Sequence, residues 1–278
     1  MSQIEDAVAR HYTTGALTER VRDALIASGV DPDAATVADL KAGDEFHTGG
    51  VAATDNLFSQ LSPTHATRVL DVGCGIGGTS RYVADRYDST VTGVDLTPEF
   101  VETAKALSEL VGLSDKVDFV VGSALEMPLP DAGFDLAVML HVGMNIEDKA
   151  ALFAEVGRVL ATGGTFALFD VMGGAVDEPL AFPLPWSTQP ETSFVHAPEI
   201  YRQAADAAGL TLDAENDRTE FALDFFEEVF AKVAENGPAP LGIHLMMGET
   251  APEKFQNYVA NLKAGRIRPT EMIFRKTG

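Results

Sequence analysis

Short apolar runs alternate with amphipathic stretches along the middle of the chain. The runs are rich in Val, Leu and Phe: RVLDV (68–72), TVTGV (90–94), KVDFVV (116–121), FDLAVML (134–140) and TFALFDV (165–171). Between the second and third runs, apolar residues recur at helical spacing, from Phe100 to Val111. Because strands that alternate with helices form βαβ units, the pattern predicts an α/β fold with a mostly parallel sheet covered on both faces.

The two ends of the chain have different patterns. Residues 1–66 show helical spacing without a strand-like run, which predicts an N-terminal helical cap. The C-terminal part, residues 173–278, begins with a stretch rich in Gly and Pro. It continues with a short strand at 210–215, a helical insertion at 219–266 and a last strand at 267–275. These two strands bring the predicted sheet to seven strands.

Capping residues mark several predicted helix starts. Thr97-Pro98 has the pattern of an N-cap followed by a proline at the first helical position. Asn145 is expected to cap the helix that follows the fourth strand. Ser123 and Glu126 have the spacing of a capping box, in which both side chains bind backbone N–H groups.

The composition restricts the class of partner. The 278 residues include 20 Lys and Arg against 42 Asp and Glu, a formal charge of −22. Nucleic acid is disfavoured as a partner, because each phosphate contact normally needs a cation. The N-terminus, MSQIEDAVAR, lacks a signal-peptide pattern, and no apolar stretch approaches the ~20 residues that cross a bilayer. We therefore expect a cytoplasmic protein without membrane insertion; the sequence leaves a homodimer open.

A glycine-rich turn follows the first strand. In VLDVGCGIGG (69–78), the strand is followed by glycines at 73, 75, 77 and 78. Glycines allow a sharp turn and let a ligand approach the main chain. The next strand ends in Asp95, whose carboxylate can accept hydrogen bonds from both hydroxyls of a ribose. The single cysteine, Cys74, is interpreted as a small residue in the turn and not as a nucleophile.

The same glycines also satisfy the G-x-G-x-x-G fingerprint of dinucleotide-binding enzymes. Asp71, however, lies two residues before the first glycine, close to where a pyrophosphate would bind. A carboxylate at that position repels phosphate and suits an ammonium or sulfonium cation. A nicotinamide-dependent oxidoreductase stays open as the alternative.

Four segments in order resemble the motifs of the class I S-adenosylmethionine-dependent methyltransferases: VLDVGCGIGG, VTGVDLT, VVGSALEMPLPDAGFDLAVMLHV and GRVLATGGTFALFDV. The similarity covers residues 67–172 and is strongest to the small-molecule branch, with its quinone-biosynthesis and sarcosine/dimethylglycine N-methyltransferases. The chain's ending, EKFQNYVANLKAGRI followed by IFRK, is similar to the second group. The resemblance implies a Rossmann-like, doubly wound sheet and an S-adenosylmethionine-binding core at 67–172.

The resemblance also implies roles for individual residues. Asp71, Gly73 and Gly75 would contact the methionine part of the cofactor. Asp95 would bind the ribose and Leu96 would pack on the adenine. The residues expected along the adenine edge or beside the methyl-bearing end are Ser123, Ala124, Leu125, His141 and Val142. The family often has an acid where Ser123 stands, so its contact here would come from a hydroxyl or a backbone group.

The predicted reaction is methyl transfer to a small molecule, preferably to an amine nitrogen of a sarcosine- or dimethylglycine-like acceptor. An O- or C-methyltransferase acting on an aromatic or quinone-type acceptor is the alternative, and a non-catalytic cofactor-binding protein is another. His141 is the first candidate for a general base and His244 the second. The residues predicted to line the substrate pocket are Phe46, His47, Trp186, His244 and Met247. The histidines show no pair at metal-ligand spacing, so we expect no metal site.

Overall fold

The computed structural model describes residues 2–277, which contain a seven-stranded sheet. The strands are β1 (Arg68–Val72), β2 (Thr90–Asp95), β3 (Val117–Val121), β4 (Phe134–Leu140), β5 (Leu160–Gly173), β6 (Leu210–Asp217) and β7 (Ile267–Lys276). Their order across the sheet is β3-β2-β1-β4-β5-β7-β6. Strands β1 to β5 are parallel, whereas β7 is antiparallel to both β5 and β6. The predicted doubly wound, mostly parallel sheet is confirmed.

Four helices precede the sheet: α1 (Gln3–Tyr12), α2 (Leu17–Ala27), α3 (Val37–Asp44) and α4 (Gly50–Ser59). Four more connect the strands: α5 (Gly78–Tyr87), α6 (Pro98–Leu110), α7 (Lys149–Val159) and α8 (Pro198–Ala207). The last three lie between β6 and β7: α9 (Thr219–Asn236), α10 (His244–Met247) and α11 (Ala251–Lys263). The N-terminal helices and the helical insertion before the last strand are therefore also confirmed.

The core consists of apolar layers on the two faces of the sheet. Neighbouring residues of β1 point to opposite faces: Val69 packs with Val83 and Phe119, whereas Leu70 packs with residues of α7 and β7. Both β1 residues are buried, as expected for a strand covered on both sides. Two smaller clusters attach the remaining helices, one between α2 and α6 and the other between α9 and α11.

The start of α7 differs from the prediction. Its N-cap is Asp148, whose side chain accepts a hydrogen bond from the Ala151 N–H. Asn145 is instead buried and accepts a hydrogen bond from the Tyr12 hydroxyl at 2.9 Å. The cap prediction for Asn145 was wrong because contacts with a distant helix, and not the local backbone, satisfy its amide. Helix α6 does begin at Pro98 with Thr97 at the N-cap position, as predicted.

The predicted capping box at Ser123 and Glu126 is also wrong. No helix begins there among residues 2–277; the segment forms a turn that an isolated bridge between the two residues closes. The Ser123 hydroxyl accepts a hydrogen bond from the Leu125 N–H at 3.0 Å. A turn and a helix start use the same side-chain-to-backbone bond, so local spacing did not distinguish them.

None of the helices in the described range combines the length and the apolar character that a membrane span requires.

Candidate active site

A cleft of about 220 Å³ lies at the carboxyl ends of β1 to β4. The sheet order places β2 and β4 on either side of β1. The strand order therefore grows in opposite directions from β1, which leaves a crevice between the connections on the two sides. Residues that follow each of the four strands line this cleft. Helix α1 contributes Ile4, Val8 and Tyr12, so the N-terminal helices cover the crevice.

The glycine turn after β1 forms one wall of the cleft. The N–H groups of Gly73 and Cys74 both donate to the Val94 carbonyl, at 2.7 and 3.0 Å, which holds the turn against β2. Gly73 has φ +69° and Gly75 has φ +54°, a region that other residues rarely adopt. A Cβ on Gly73 would lie 2.4 Å from Val142, whereas a Cβ on Gly75 would meet no atom within 4 Å. The backbone at Gly75 is thus open to a ligand.

Two aspartates flank this turn. Asp71 is 2% exposed and accepts a hydrogen bond from the Ser80 hydroxyl at 2.7 Å. Burial, together with the charges of Glu45 and Asp95, raises the pKa of Asp71 to about 6. Asp95 accepts hydrogen bonds from the N–H groups of Gly75 and Thr97, at 2.9 and 2.8 Å. Burial raises the pKa of Asp95 against the effect of these bonds.

The cleft is rich in acidic groups. Its acidic lining residues are Glu5, Asp44, Asp71, Asp95, Glu147 and Asp148. Among the described residues that line it, none is Lys or Arg. The Oδ1 atom of Asp44 is buried without a hydrogen-bond partner in residues 2–277, and the ammonium of Lys41 lies 3.8 Å from it. Such a surface favours a cationic ligand and opposes a pyrophosphate.

Another wall of the cleft is formed by the residues that follow β3, next to helix α1. The Ser123 hydroxyl donates a hydrogen bond to Glu5, which brings a carboxylate from the N-terminal helix to this wall. Ala124 and Leu125 line the same wall, and Leu96 lines the cleft next to Asp95. The nine residues predicted for the cofactor site, from Asp71 to His141, therefore all line one cleft.

His141 lies where β4 ends. It has φ +54°, its N–H donates to the Phe169 carbonyl at 2.7 Å, and its ring centroid is 4.8 Å from that of Phe169. Burial lowers the pKa of His141 well below its ordinary value, so the ring is neutral. Its Nε2 atom is buried and makes no hydrogen bond to any described residue. The unpaired nitrogen of this neutral imidazole can accept a hydrogen bond from a bound molecule, whereas the lowered pKa makes the ring a weak base.

His47 is positioned by a buried carboxylate. Its Nε2 atom lies 2.8 Å from Glu45 Oε2, and its ring centroid is 6.1 Å from that of His141. Glu45 also accepts hydrogen bonds from Lys41 and Thr54, each at 2.7 Å. Burial alone would raise the pKa of Glu45, but the hydrogen bonds and charges of His47 and Lys41 lower it well below the ordinary value. The ionised Glu45 thus orients the His47 ring.

A second cavity, here called the aromatic cavity, adjoins the cleft. It is lined by Tyr12, Phe46, His47, Thr48, His141, Met144, Pro185, Trp186, Phe225, Phe226, Ile243, Phe255 and Tyr258. Tyr12, Phe46, His47 and His141 line both spaces, so these four residues form the junction between them. The hydroxyls of Thr48 and Tyr258 are hydrogen-bonded to each other at 2.8 Å.

Residues 70–168 match the protein family described as Methyltransferase domain. This segment therefore carries a methyltransferase domain, in agreement with its motifs of the class I S-adenosylmethionine-dependent methyltransferases. Over 100 residues, the chain is 45% identical to the ajmaline N-methyltransferase of Rauvolfia serpentina, covering 36% of this chain and 34% of that protein. Over 192 residues it is 31% identical to the phosphoethanolamine N-methyltransferase of Triticum aestivum, covering 68% of this chain and 37% of that protein. The chain matches little more than a third of the length of either relative.

The fold of the chain is similar to that of the geranyl diphosphate C-methyltransferase from Streptomyces coelicolor. The TM-score is 0.74 over 99% of both chains, with 17% sequence identity. At this identity, the similarity concerns the fold and not the substrate.

Two residues predicted for the substrate pocket lie elsewhere. His244 and Met247 belong to α10 and line neither the cleft nor the aromatic cavity. Met246 of this four-residue helix packs into the cluster between α2 and α6, which anchors α10 there. The carbonyl of Met247 accepts a hydrogen bond from Lys254 at 3.2 Å. The other three predicted residues, Phe46, His47 and Trp186, do line the aromatic cavity.

Sequence reasoning missed most of the aromatic cavity. Phe225, Phe226, Phe255 and Tyr258 come from α9 and α11. Their helical spacing in the insertion was the available signal, but such spacing is equally typical of a plain helix core. Tyr12, at the end of α1, had no distinguishing signal in the sequence.

Cys74 is buried, and burial raises the pKa of its thiol well above the ordinary value. A thiol in this state is a poor nucleophile. Within residues 2–277, no group of three or more His, Cys, Asp or Glu side chains has the arrangement of a metal site.

Proposed function

We propose that the protein transfers a methyl group from S-adenosylmethionine to a small-molecule acceptor, with an amine nitrogen as the preferred target. The observation on which the proposal depends is the junction of two different spaces at His141. On one side lies a cleft lined by acids without Lys or Arg, and on the other lies a cavity lined by aromatic side chains. A cationic cofactor fits the first and an acceptor fits the second.

S-adenosylmethionine carries an ammonium and a sulfonium against one carboxylate, and the residues present fit its two cationic groups. Asp71 is suited to the ammonium, and the open backbone at Gly75, with Gly73 beside it, to the methionine chain. Asp95 would bind the ribose hydroxyls. The adenine would lie against Leu96, Ser123, Ala124 and Leu125. The family often has an acid at the position of Ser123. Here Glu5, which accepts a hydrogen bond from the Ser123 hydroxyl, would supply that carboxylate and accept a hydrogen bond from the adenine amino group.

When bound, S-adenosylmethionine supplies an electrophilic methyl group, and the electrons of the broken C–S bond stay on sulfur in the neutral thioether. The residues of the chain then have three tasks. Helix α1 excludes water from the cleft, and the walls of both spaces hold the acceptor in line, which is worth ~7–11 kcal/mol in favourable systems. The unpaired Nε2 of His141 would accept a hydrogen bond from the acceptor and relay its proton to solvent, because burial makes this ring too weak a base to keep the proton.

An amine acceptor is supported by the two relatives, which are both named as N-methyltransferases. A second candidate, O- or C-methylation of an aromatic or quinone-type acceptor, is favoured by the aromatic walls of the second cavity. In both cases the acceptor is a small molecule and not a nucleic acid, because a chain with a net charge of −22 opposes polyanions. The cytoplasmic location and a homodimer stay predictions.

We also propose a division of labour along the chain. Residues 1–66 cover the cofactor, residues 67–172 bind it, and the insertion at 219–266, as part of the C-terminal segment 173–278, encloses the acceptor. Lining residues from α1, α9 and α11 support this division.

Calorimetry and a labelled-methyl assay test the proposal together. S-adenosylhomocysteine should bind, and NAD and NADP should not. Asp95→Asn should weaken binding more than tenfold, because a charged hydrogen-bond acceptor is worth ~1.5–3 kcal/mol. Asp118→Asn is the matched control, since Asp118 is exposed on the adjacent strand. Binding of NAD instead would support the oxidoreductase, and cofactor binding without labelling of any acceptor in a broad panel would support a non-catalytic protein.

A further inference from the structure

The walls of the aromatic cavity are aromatic and, within residues 2–277, lack charged carboxylate, ammonium and guanidinium groups. Seven of the thirteen lining residues are Tyr, Phe or Trp, and among the described residues none that lines the cavity is Asp, Glu, Lys or Arg. The polar groups on the walls are the two histidine rings and the hydroxyls of Tyr12, Thr48 and Tyr258.

Three lysines near the cavity-lining residues in the chain already bind other groups, and Arg10, two residues before Tyr12, is exposed and does not line the cavity. Lys254 donates to the Met247 carbonyl at 3.2 Å. Lys41 forms an ion pair with Glu45 at 2.7 Å. Lys149 is buried and donates to the carbonyls of Gly143 and Phe194, at 2.8 and 3.1 Å. None of these three lines the aromatic cavity. A carboxylate or phosphate placed there would lie in an apolar space beside a cleft that is rich in acids, and the His47 ring on the wall is already paired with the Glu45 carboxylate.

We infer that the acceptor has an apolar or aromatic body without a carboxylate or phosphate group. The inference rests on the proposed methyl transfer and narrows it: an amine acceptor would be an arylalkyl or alicyclic amine and not an amino acid. Aromatic walls suit such an amine in either state, because they pack against its body and attract an ammonium over their ring faces. The sarcosine-like acceptor expected from the sequence would leave its carboxylate unpaired.

The cavity contains its own reporter. Trp186 is the single tryptophan of the chain, and it lines the aromatic cavity with its indole N–H donating to Ser193 at 2.9 Å. Its fluorescence therefore responds to occupancy of this cavity without any turnover.

The test uses matched pairs of ligands that differ by one anionic group, titrated into the full-length protein with S-adenosylhomocysteine present. The pairs are 2-phenylethylamine against phenylalanine, and 2-phenylethanol against 2-phenylethyl phosphate. We expect a saturable change in Trp186 emission with the uncharged or cationic member of each pair, at an affinity at least tenfold higher than that of the anionic member. Equal or tighter binding of the anionic members overturns the inference, and so does the absence of any response to all four ligands.

A charge variant sharpens the result. Phe225→Lys introduces a cation into the wall from a half-buried position of α9 and should raise the affinity for phenylalanine and the phosphate ester. Phe230→Lys on the same helix is the control, because Phe230 is 38% exposed and does not line the cavity. If Phe225→Lys does not fold, the matched pairs on the unaltered protein decide alone.

The same ligands with labelled S-adenosylmethionine separate this inference from the proposed function. Preference for the anionic members with methyl transfer intact refutes the inference only. Failure of S-adenosylhomocysteine to bind refutes the proposed function.

Discussion

Acidification should weaken cofactor binding chiefly through one carboxyl group, that of Asp71. In the free protein, burial and the charges of Glu45 and Asp95 raise the pKa of this group to about 6. The ammonium group of the ligand pairs with the ionised form of Asp71. The apparent affinity of the ligand therefore scales with the ionised fraction of Asp71. With a pKa of about 6, that fraction falls from about 0.9 at pH 7 to about 0.1 at pH 5. We therefore expect S-adenosylhomocysteine to bind about tenfold more weakly at pH 5 than at pH 7, with release of a proton on binding at the lower pH.

Asp71→Asn separates this effect from general acid damage. The variant should bind the ligand more weakly at pH 7 and show a flatter pH dependence. Some dependence should persist, because burial also raises the pKa of Asp95. Calorimetry from pH 5 to 8, in buffers of different ionisation enthalpy, measures affinity and proton release together, with Asp118→Asn as control. A slope that is unchanged in Asp71→Asn, or affinity that rises on acidification, would refute the reasoning.

The stability of the ligand-free protein should change in the opposite direction. The pKa of Asp71 in the folded chain lies above its ordinary value, so its contribution to stability is complete below pH 3.8 and is lost as the pH rises through about 6. A shift of about two pH units corresponds to about 3 kcal/mol. Ligand-free Asp71→Asn should therefore be more stable than the unaltered protein at pH 8 in denaturant unfolding. A less stable variant would mean that the charge is already compensated without a ligand.

Three further substitutions test other parts of the site. Glu5→Gln should weaken S-adenosylhomocysteine binding about three- to tenfold in calorimetry, as expected for the loss of a half-exposed charged hydrogen bond. Asp6→Asn, at an exposed position of the same helix, should leave the affinity unchanged. Equal effects of the two substitutions would show that Glu5 does not contact the ligand. His141→Asn places a residue that tolerates the observed φ of +54°. It should lower kcat for protonated amines about 100-fold, while cofactor affinity stays within threefold. An unchanged pH–rate profile would exclude His141 as the base. Asn145→Ala removes the hydrogen bond to the Trp186 carbonyl at 3.0 Å. It should lower the free energy of unfolding by about 2–3 kcal/mol in denaturant titrations. A loss below about 0.5 kcal/mol would show that water replaces the side-chain amide.

The sheet and the cofactor half of the site could be predicted because both depend on local sequence. A strand that is buried on both faces needs a continuous apolar run, and FDLAVML forms β4 with the predicted limits, 134–140. The turn after β1 needs glycine at 73 and 75, because both residues have positive φ. Asp95 follows from the strand that it ends. These features require no knowledge of distant parts of the chain.

The acceptor half could not be predicted, because its residues come together from segments that are far apart in sequence. Asn145 has the local pattern of a helix cap, yet its partners are Tyr12 and Trp186, 133 and 41 residues away. His244 and Trp186 are equally plausible wall residues from their chemistry. Only the packing of α10 against α2 and α6 takes His244 out of the site.

This division also limits what similarity to other methyltransferases can say about the acceptor. All nine predicted cofactor-site residues lie within the matched segment, 70–168. Of the thirteen residues that line the aromatic cavity, only His141 and Met144 lie within it. Relatives that share mainly this segment therefore share the cofactor half of the site and can differ in the acceptor half. The acceptor of this chain must accordingly be inferred from the uncharged walls of its own cavity, and the named substrates of the relatives carry less weight than those walls.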